Sequence, residues 1–175
     1  MEFRIPFSGR AHQYIESEIS AAVDAMRMAV PLTQGEHLRS FENRFMQYTG
    51  VEHAFAISNA TAGLELAAQL CQLKPGDEVI IPAHTFTSTA YPFAKAGARI
   101  IWADIELPTR VATAETIAPC ITPKTRVIVV PHLYGFGVDM GPIMDLARES
   151  NLLVVEDAAQ AHGAKDFNNK KIGSL

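Results

Sequence analysis

Cysteine is scarce in this chain, whose 175 residues include only Cys71 and Cys120. Two cysteines so far apart cannot build a disulfide framework or a zinc knuckle, so both are expected to act as small buried hydrophobic residues. Apolar runs are also short, and none approaches the roughly 18 residues of a membrane span. The first residues, from Met1 to Pro6, lack the hydrophobic core of a signal peptide, so the cytoplasm is the expected compartment.

Excess positive charge is missing as well. The chain has 15 Lys and Arg against 19 Asp and Glu, a net charge of -4, and no basic run. This balance argues against a nucleic-acid partner. No Gly-x-Gly-x-x-Gly follows the first predicted strand, and the near match Gly135-Phe136-Gly137 lacks the third glycine. A phosphate-binding loop ending in Gly-Lys-Ser/Thr is absent, and the histidines lack paired metal-ligand spacing, so no metal site is expected.

The chain does contain a regular alternation of two patterns. Its length and its 48% hydrophobic content suit one globular domain with a sizeable core. Short apolar runs predict strands at His53–Ile57, Glu78–Ile81, Arg99–Ala103, Arg126–Val130 and Leu152–Val155. Helical spacing predicts helices at Gly63–Leu73, Thr87–Ala96, Ala112–Ala118 and Met140–Ser150. Alternating strands and helices indicate an α/β fold, a three-layer αβα arrangement around a mostly parallel sheet.

Two further helices precede this alternation. Apolar residues at helical spacing predict one helix over Ala11–Ala29, which Pro31 stops, and a second between Gly35 and Gly50. Because both lie outside the strand–helix pattern, we expect residues 1–30 to form an N-terminal helical segment. Residues 31–175 would then form part of a larger α/β domain.

The most informative segment runs from Val154 to Gly163. Its apolar strand ends in Glu156-Asp157, with Gln160 and His162 just beyond. Ligands of open α/β sheets bind at the carboxyl ends of the strands, where the Asp157 carboxylate would face a cationic nitrogen. The alternative is that Asp157 only caps the next turn.

A second strand end is followed by small and hydroxyl residues. Ser58-Asn59-Ala60-Thr61-Ala62-Gly63 leads directly into a helix. Free amides and the positive dipole at a helix start favour an anion such as phosphate, and Thr61 adds a hydroxyl donor. A plain helix cap explains the same residues.

The other strand ends carry aromatic and polar residues. Phe86, flanked by small hydroxyl residues, would stack on a planar ring or belong to the core. His132 and Tyr134 would face the cleft, unless His132 is a buried histidine with satisfied nitrogens. Asp104 either orients a loop or caps a turn.

Taken together, these strand ends place a phosphate cradle, a stacking aromatic ring and a carboxylate at one edge of the sheet. A flat, phosphorylated cofactor with a pyridinium nitrogen needs that combination. Pyridoxal 5'-phosphate fits it, because its ring withdraws electrons best when an aspartate keeps the ring nitrogen protonated.

The ordered motifs resemble those of the DegT/DnrJ/EryC1/StrS sugar aminotransferases, which are fold-type-I pyridoxal-phosphate enzymes. The resemblance covers nearly the whole chain. It rests on Leu32-Thr33-Gln34-Gly35 with Phe41-Glu42, Ser58-Asn59-Ala60-Thr61-Ala62-Gly63-Leu64, Pro75-Gly76-Asp77-Glu78-Val79-Ile80-Ile81-Pro82, Thr85-Phe86, Gly97-Ala98 with Asp104, Thr125 to Gly135, and Glu156-Asp157-Ala158-Ala159-Gln160-Ala161.

The resemblance implies a role for each matching residue. Ala60 and Thr61 would hold the cofactor phosphate, and Phe86 would stack on the pyridine ring. Asp157 would pair with the ring nitrogen and Gln160 would bind the phenolic oxygen, with His162 in a supporting role nearby. It further implies a homodimer that moves an amino group, usually from glutamate, to a nucleotide-linked keto-sugar.

One feature of the family has no match in this sequence. The Schiff-base lysine would follow shortly after Leu175, and none of the six lysines present fits its motif. We therefore expect the chain to be truncated and inactive in transamination. An incomplete sheet would leave an open edge that favours oligomerisation. Three alternatives remain: a sugar dehydratase variant with histidine at the lysine position, a non-catalytic binding or regulatory module, and an unrelated nucleotide-binding domain.

Overall fold

The computed structural model describes residues 13–31, 33–166 and 168–174. The predicted helix start at residues 11–12, the motif residue Leu32 and the position Leu175 lie outside the described residues. The chain divides into two compact units, Met1–Arg44 and Phe45–Leu175. The expected division into residues 1–30 and 31–175 stays a prediction.

The N-terminal helices are confirmed within the described residues. Helix α1 spans Glu16–Met28 and helix α2 spans Glu36–Thr49. At the start of α1 the Glu18 carboxylate accepts a hydrogen bond from the Ile15 amide at 2.9 Å. Such a contact satisfies one of the amides that a helix start leaves without an intrahelical partner.

The second unit contains a four-stranded sheet among its described residues. Its strands are β1 (Glu78–Pro82), β2 (Arg99–Ala103), β3 (Thr125–Pro131) and β4 (Leu153–Asp157). They lie in the order β2-β1-β3-β4, and every neighbouring pair is parallel. The predicted parallel sheet is confirmed for these four strands.

Helices connect the strands of this sheet. They are α3 (Ala60–Leu70), α4 (Thr87–Lys95), α5 (Ala114–Ile117), a short 3-10 helix (Ala118–Cys120) and α6 (Met140–Glu149). Helix α3 begins earlier than the predicted Gly63, because Asn59 Oδ1 accepts a hydrogen bond from the Ala62 amide at 3.0 Å.

The core lies on both faces of the sheet. On one face Ile80 and Ile128 pack with Ile143 of α6 in one buried cluster. On the other face Val79 and Val127 belong to a second buried cluster, which includes Leu64 of α3 and Phe93 of α4. Successive residues of β1 thus point to opposite faces, as in any pleated strand. This arrangement confirms the predicted three-layer αβα architecture.

The predicted strand at His53–Ile57 is wrong for the described structure. The segment pairs with no strand among the described residues, and Phe55 is 79% exposed and Ile57 45% exposed. A strand is stabilised by hydrogen bonds to a neighbour, and an apolar run does not specify that neighbour. The composition of the segment therefore showed that it is apolar, but it did not show whether a neighbouring strand would pair with it.

Two further predictions from the composition concern the burial of the cysteines and the absence of a membrane span. Both cysteines are free thiols and only half-buried. They contact the cores from their edges, Cys71 beside the Phe93 cluster and Cys120 beside the Ile143 cluster. Across the described parts of the chain, no helix has the length and apolar character needed to cross a membrane.

Candidate functional site

The carboxyl ends of the parallel strands meet at one edge of the sheet. Strand β4 ends at Asp157, which lies beside Pro131, the last residue of β3, in the parallel register. The His132 amide donates to the Asp157 carbonyl at 3.0 Å. This backbone pairing fixes where the Asp157 side chain leaves the sheet.

The Asp157 carboxylate is half-buried and held by two donors. The Thr89 hydroxyl donates to Asp157 Oδ2 at 2.7 Å, and the Ala159 amide donates to Oδ1 at 3.3 Å. The second contact is the turn cap that the sequence left open as an alternative. The carboxylate therefore makes this cap and also lines a cavity.

A small cavity of about 50 Å³ lies at this edge. Its lining brings together three of the predicted site residues, Phe86, Asp157 and Gln160. The other lining residues are Ser88, Thr89, Pro131, His132, Leu133 and Ala159. Phe86 is 64% exposed, so its ring stands at the surface and not in the core. An exposed aromatic ring close to a held carboxylate suits a planar heterocycle with a protonated nitrogen.

Gln160 is oriented by the backbone of Tyr134. The Tyr134 amide donates to Gln160 Oε1 at 3.2 Å. Because the amide oxygen is engaged in this way, the Gln160 NH2 group is left to donate. A donor at this position suits an anionic oxygen on a ligand.

Ala60 and Thr61 form the first turn of α3. Ala60 is exposed and Thr61 is half-buried, and neither lines the small cavity. The Asn59 side chain accepts a hydrogen bond from the Ala62 amide. This cap does not engage the amides of Ala60 and Thr61, which begin the helix and have no partner within it. This local geometry is a helix cap, and amides at a helix start are suited to an anion.

His162 also lies outside the small cavity. Its ring is exposed and meets the ring of Phe45 edge to face, with 6.0 Å between the centroids. The structure thus gives His162 an aromatic neighbour on α2 and no contact with Asp157 or Gln160 among the interactions of the described residues.

His132 is a buried, satisfied histidine. Its ring is completely buried, Nδ1 accepts from the Val138 amide at 3.0 Å, and Nε2 lies 3.1 Å from Glu156 Oε1. Of the two alternatives that the sequence left open, this is the structural one. Asp104 is likewise a turn residue, since its Oδ1 accepts from the Ile105 amide at 2.8 Å.

A larger cavity of about 810 Å³ adjoins the small one. Leu133 lines both cavities. The larger cavity has an aromatic wall of Tyr134 and Phe136, both exposed, and the His84 ring lies 6.0 Å from that of Tyr134. Tyr134 has a φ of 55°, a value that is rare for a bulky residue and is often found at functional sites.

Sequence reasoning did not single out Thr89 and named Glu156 without a role, although both residues organise this edge. Thr89 reaches Asp157 across 68 positions, and Glu156 binds the buried His132. No local pattern marks Thr89, because a hydroxyl inside a helix is most often directed to the solvent or the helix backbone. The adjacency of Glu156 and Asp157 was a signal, but it did not distinguish their roles. In the described ranges no three His, Cys, Asp or Glu side chains converge as a metal site would require.

Comparison with known proteins identifies similar sequences and folds. The family model of the DegT/DnrJ/EryC1/StrS aminotransferases matches residues 13–175. GDP-perosamine synthase of Caulobacter vibrioides is 43% identical over 141 residues, which cover 81% of this chain and 38% of that protein.

Two solved structures extend the comparison to the fold. Streptomyces venezuelae DesV, solved with a ketimine intermediate, is 32% identical with a TM-score of 0.81, over 91% of this chain and 44% of that chain. Escherichia coli GDP-4-keto-6-deoxy-D-mannose-3-dehydratase, with bound hydrated PLP, is 25% identical with a TM-score of 0.83, over 96% and 44%. The chain thus spans less than half the length of these relatives.

Proposed function

Because the chain belongs to the DegT/DnrJ/EryC1/StrS aminotransferase family, we propose that it is the cofactor-binding N-terminal portion of a nucleotide-sugar aminotransferase. The complete enzyme transfers an amino group from glutamate to a keto-sugar linked to a nucleotide, and it acts as a homodimer. The observation that carries the proposal is the joint lining of one cavity by Phe86, Asp157 and Gln160.

Pyridoxal 5'-phosphate is the cofactor that the family and its solved structures indicate. When bound, it supplies an electron-withdrawing ring that stabilises negative charge on the substrate carbon. The residues of this chain fit the group, because the Asp157 carboxylate is held in place by Thr89 at the cavity wall. A carboxylate in that position suits a protonated ring nitrogen.

Each of the other candidate residues has its own role in binding the cofactor. Phe86 stacks on the pyridine ring, and the Gln160 NH2 group donates to the phenolic oxygen. The amides of Ala60 and Thr61, with the Thr61 hydroxyl, bind the phosphate at the start of α3. His162 supports the site from the turn after β4.

The nucleophilic lysine lies beyond Leu175 in this proposal. The six lysines of the chain all fall in described residues, and none lines the cavity with Asp157. Lys95 instead contacts Glu65 at 3.0 Å, and Lys165 donates to Asn169 at 2.7 Å. Without a lysine at the cavity, the chain binds cofactor but does not move the substrate proton.

The cofactor assignment is tested with pyridoxamine 5'-phosphate, which needs no lysine for binding. We expect Asp157→Ala to weaken its binding by about tenfold, because a charged hydrogen bond is lost. Asp104→Ala is the matched control, since Asp104 follows β2 and caps only its own turn. Equal affinities for the two variants would contradict the assignment of Asp157.

The activity is tested with residues 1–175, glutamate and a nucleotide-linked keto-sugar. We expect no turnover, and measurable amino transfer would contradict the proposed position of the lysine. Reading the coding DNA onward from the Leu175 codon separates the alternatives. A lysine in a Ser-Phe-His-x-x-Lys-like segment supports the aminotransferase, histidine at that position supports a dehydratase, and an immediate stop codon supports a binding module.

A further inference from the structure

Asp157 is connected to α4 by a short chain of side-chain hydroxyls. Thr89 is completely buried on α4, and its Oγ1 lies 2.7 Å from Asp157 Oδ2. Thr85, on the loop before α4, donates from its own Oγ1 to the Thr89 Oγ1 at 2.8 Å. The three side chains therefore form one continuous series of hydrogen bonds that ends at the carboxylate.

The two hydrogen bonds of this series run in the same direction. A threonine hydroxyl has one proton to donate. Because the Thr89 oxygen accepts the proton of Thr85, the proton of Thr89 is directed to Asp157. Asp157 Oδ2 then acts as the acceptor at the end of the series.

Two donors also fix the rotation of the carboxylate. Thr89 holds Oδ2, and the Ala159 amide holds Oδ1 at 3.3 Å. Each carboxylate oxygen retains a second acceptor site after one hydrogen bond. Since Asp157 lines the small cavity, that remaining capacity is available to a donor inside it.

We propose that Thr89, with its hydroxyl oriented by Thr85, is a positioning residue that fixes the Asp157 carboxylate to accept the ring N–H of pyridoxal phosphate. The inference rests on the proposed role of Asp157. Thr89 acts through Asp157, so its effect depends on the ring nitrogen and disappears when either partner is removed.

The test measures the affinity of the chain for pyridoxamine 5'-phosphate and for its 1-deaza analogue, in which C–H replaces the ring nitrogen. Thr89→Val keeps the shape and removes the donor. We expect it to weaken binding of pyridoxamine phosphate by about tenfold, and to leave the deaza analogue unaffected. Thr89→Ser restores the hydroxyl and most of the affinity.

Two further variants keep the test informative. Thr87→Val removes an exposed hydroxyl from the first residue of the same helix, and we expect no change in either affinity. Thr85→Val removes the half-buried donor to Thr89, and we expect a smaller loss that is again confined to pyridoxamine phosphate. This variant tests the series of hydrogen bonds from Thr85 to Asp157 even if the buried Thr89→Val substitution prevents folding.

A double-mutant cycle gives the most stringent test, because it measures the coupling between Thr89 and Asp157. In an Asp157→Ala background, Thr89→Val should cause no further loss of affinity, because the coupled partner is already absent. A persistent loss in that background, or an equal loss for the deaza analogue, overturns the inference. If pyridoxamine phosphate binds and Thr89→Val has no effect, the inference fails and the cofactor assignment stands. If the unmodified chain does not bind it, both fail.

Discussion

The buried imidazole of His132 donates from Nε2 to the carboxylate of Glu156, with 3.1 Å between Nε2 and Oε1. The tautomer follows from the other ring nitrogen, because Nδ1 accepts from the Val138 amide and so carries no proton in the neutral ring. The Glu156 Oε1 also accepts from the Gly173 amide at 3.1 Å. One side-chain pair thus connects the loop after β3, the end of β4 and the turn at Gly173.

The first prediction concerns this pair. His132→Leu leaves the Glu156 carboxylate and the Val138 amide without their histidine partner, so we expect a loss of about 1–3 kcal/mol in the free energy of unfolding. Urea denaturation measures the loss. His53→Leu is the matched control on an exposed histidine, where we expect a change within about 0.5 kcal/mol. Similar losses for both variants would show that the His132–Glu156 pair does not stabilise the fold.

The second prediction concerns the core beneath the site. Phe93 is completely buried between α4 and the sheet, in contact with the cluster that contains Val79 and Leu64. Phe93→Ala should lower the free energy of unfolding by about 3–5 kcal/mol, because a large cavity replaces the ring. Tyr91→Ala removes a half-exposed ring from the same helix and should cost clearly less. Equal shifts of the urea midpoint would contradict this packing.

The third prediction concerns the phosphate. Thr61→Val removes a hydroxyl from the first turn of α3 and keeps the shape of the side chain. We expect the affinity for pyridoxamine 5'-phosphate to fall by about five- to tenfold, because one hydrogen bond to a charged group is lost. Pyridoxamine without the phosphate serves as the control ligand and should bind both proteins equally. A parallel loss for both ligands would remove Thr61 from the phosphate site.

The fourth prediction concerns Cys71. Burial raises the pKa of the Cys71 thiol. Because the thiolate is the nucleophile, the folded chain should react more slowly with iodoacetamide at Cys71 than the urea-unfolded chain at the same pH. As pH rises past the pKa of the unfolded thiol, the unfolded state loses the proton first, so stability should decrease. Peptide mass spectrometry follows the labelling, and Cys71→Ser confirms the modified site. Equal labelling rates in both states would contradict a protected thiol.

Much of the fold could be predicted from local sequence patterns. The apolar runs at Glu78–Ile81 and Arg126–Val130 lie within β1 and β3, because a strand buried on both faces must be apolar throughout. The same reasoning failed at His53–Ile57, where the segment is apolar but has no neighbouring strand among the described residues. Pairing partners are distant in the chain, so a local pattern does not identify them.

For the candidate site too, local sequence patterns predicted some features and could not identify others. The sequence predicted the position of Asp157 at a strand end, because Glu156-Asp157 follows an apolar run. The family resemblance is confirmed by the match over residues 13–175. The assigned roles of Ala60, Thr61, Phe86, Asp157, Gln160 and His162 stay predictions. The cavity brings Phe86, Asp157 and Gln160 together, and leaves Ala60, Thr61 and His162 outside its lining.

The sequence by itself determined the alternation of strands and helices, the family, and the residue types at each strand end, because these depend on the order of side chains along the chain. Only the tertiary structure decided that Thr89 holds Asp157 and that His132 is satisfied by Glu156 and Val138. The contacts of Thr89 with Asp157 and of His132 with Glu156 join positions that are 68 and 24 residues apart. They exist only after the parallel strands bring their carboxyl ends to one edge of the sheet.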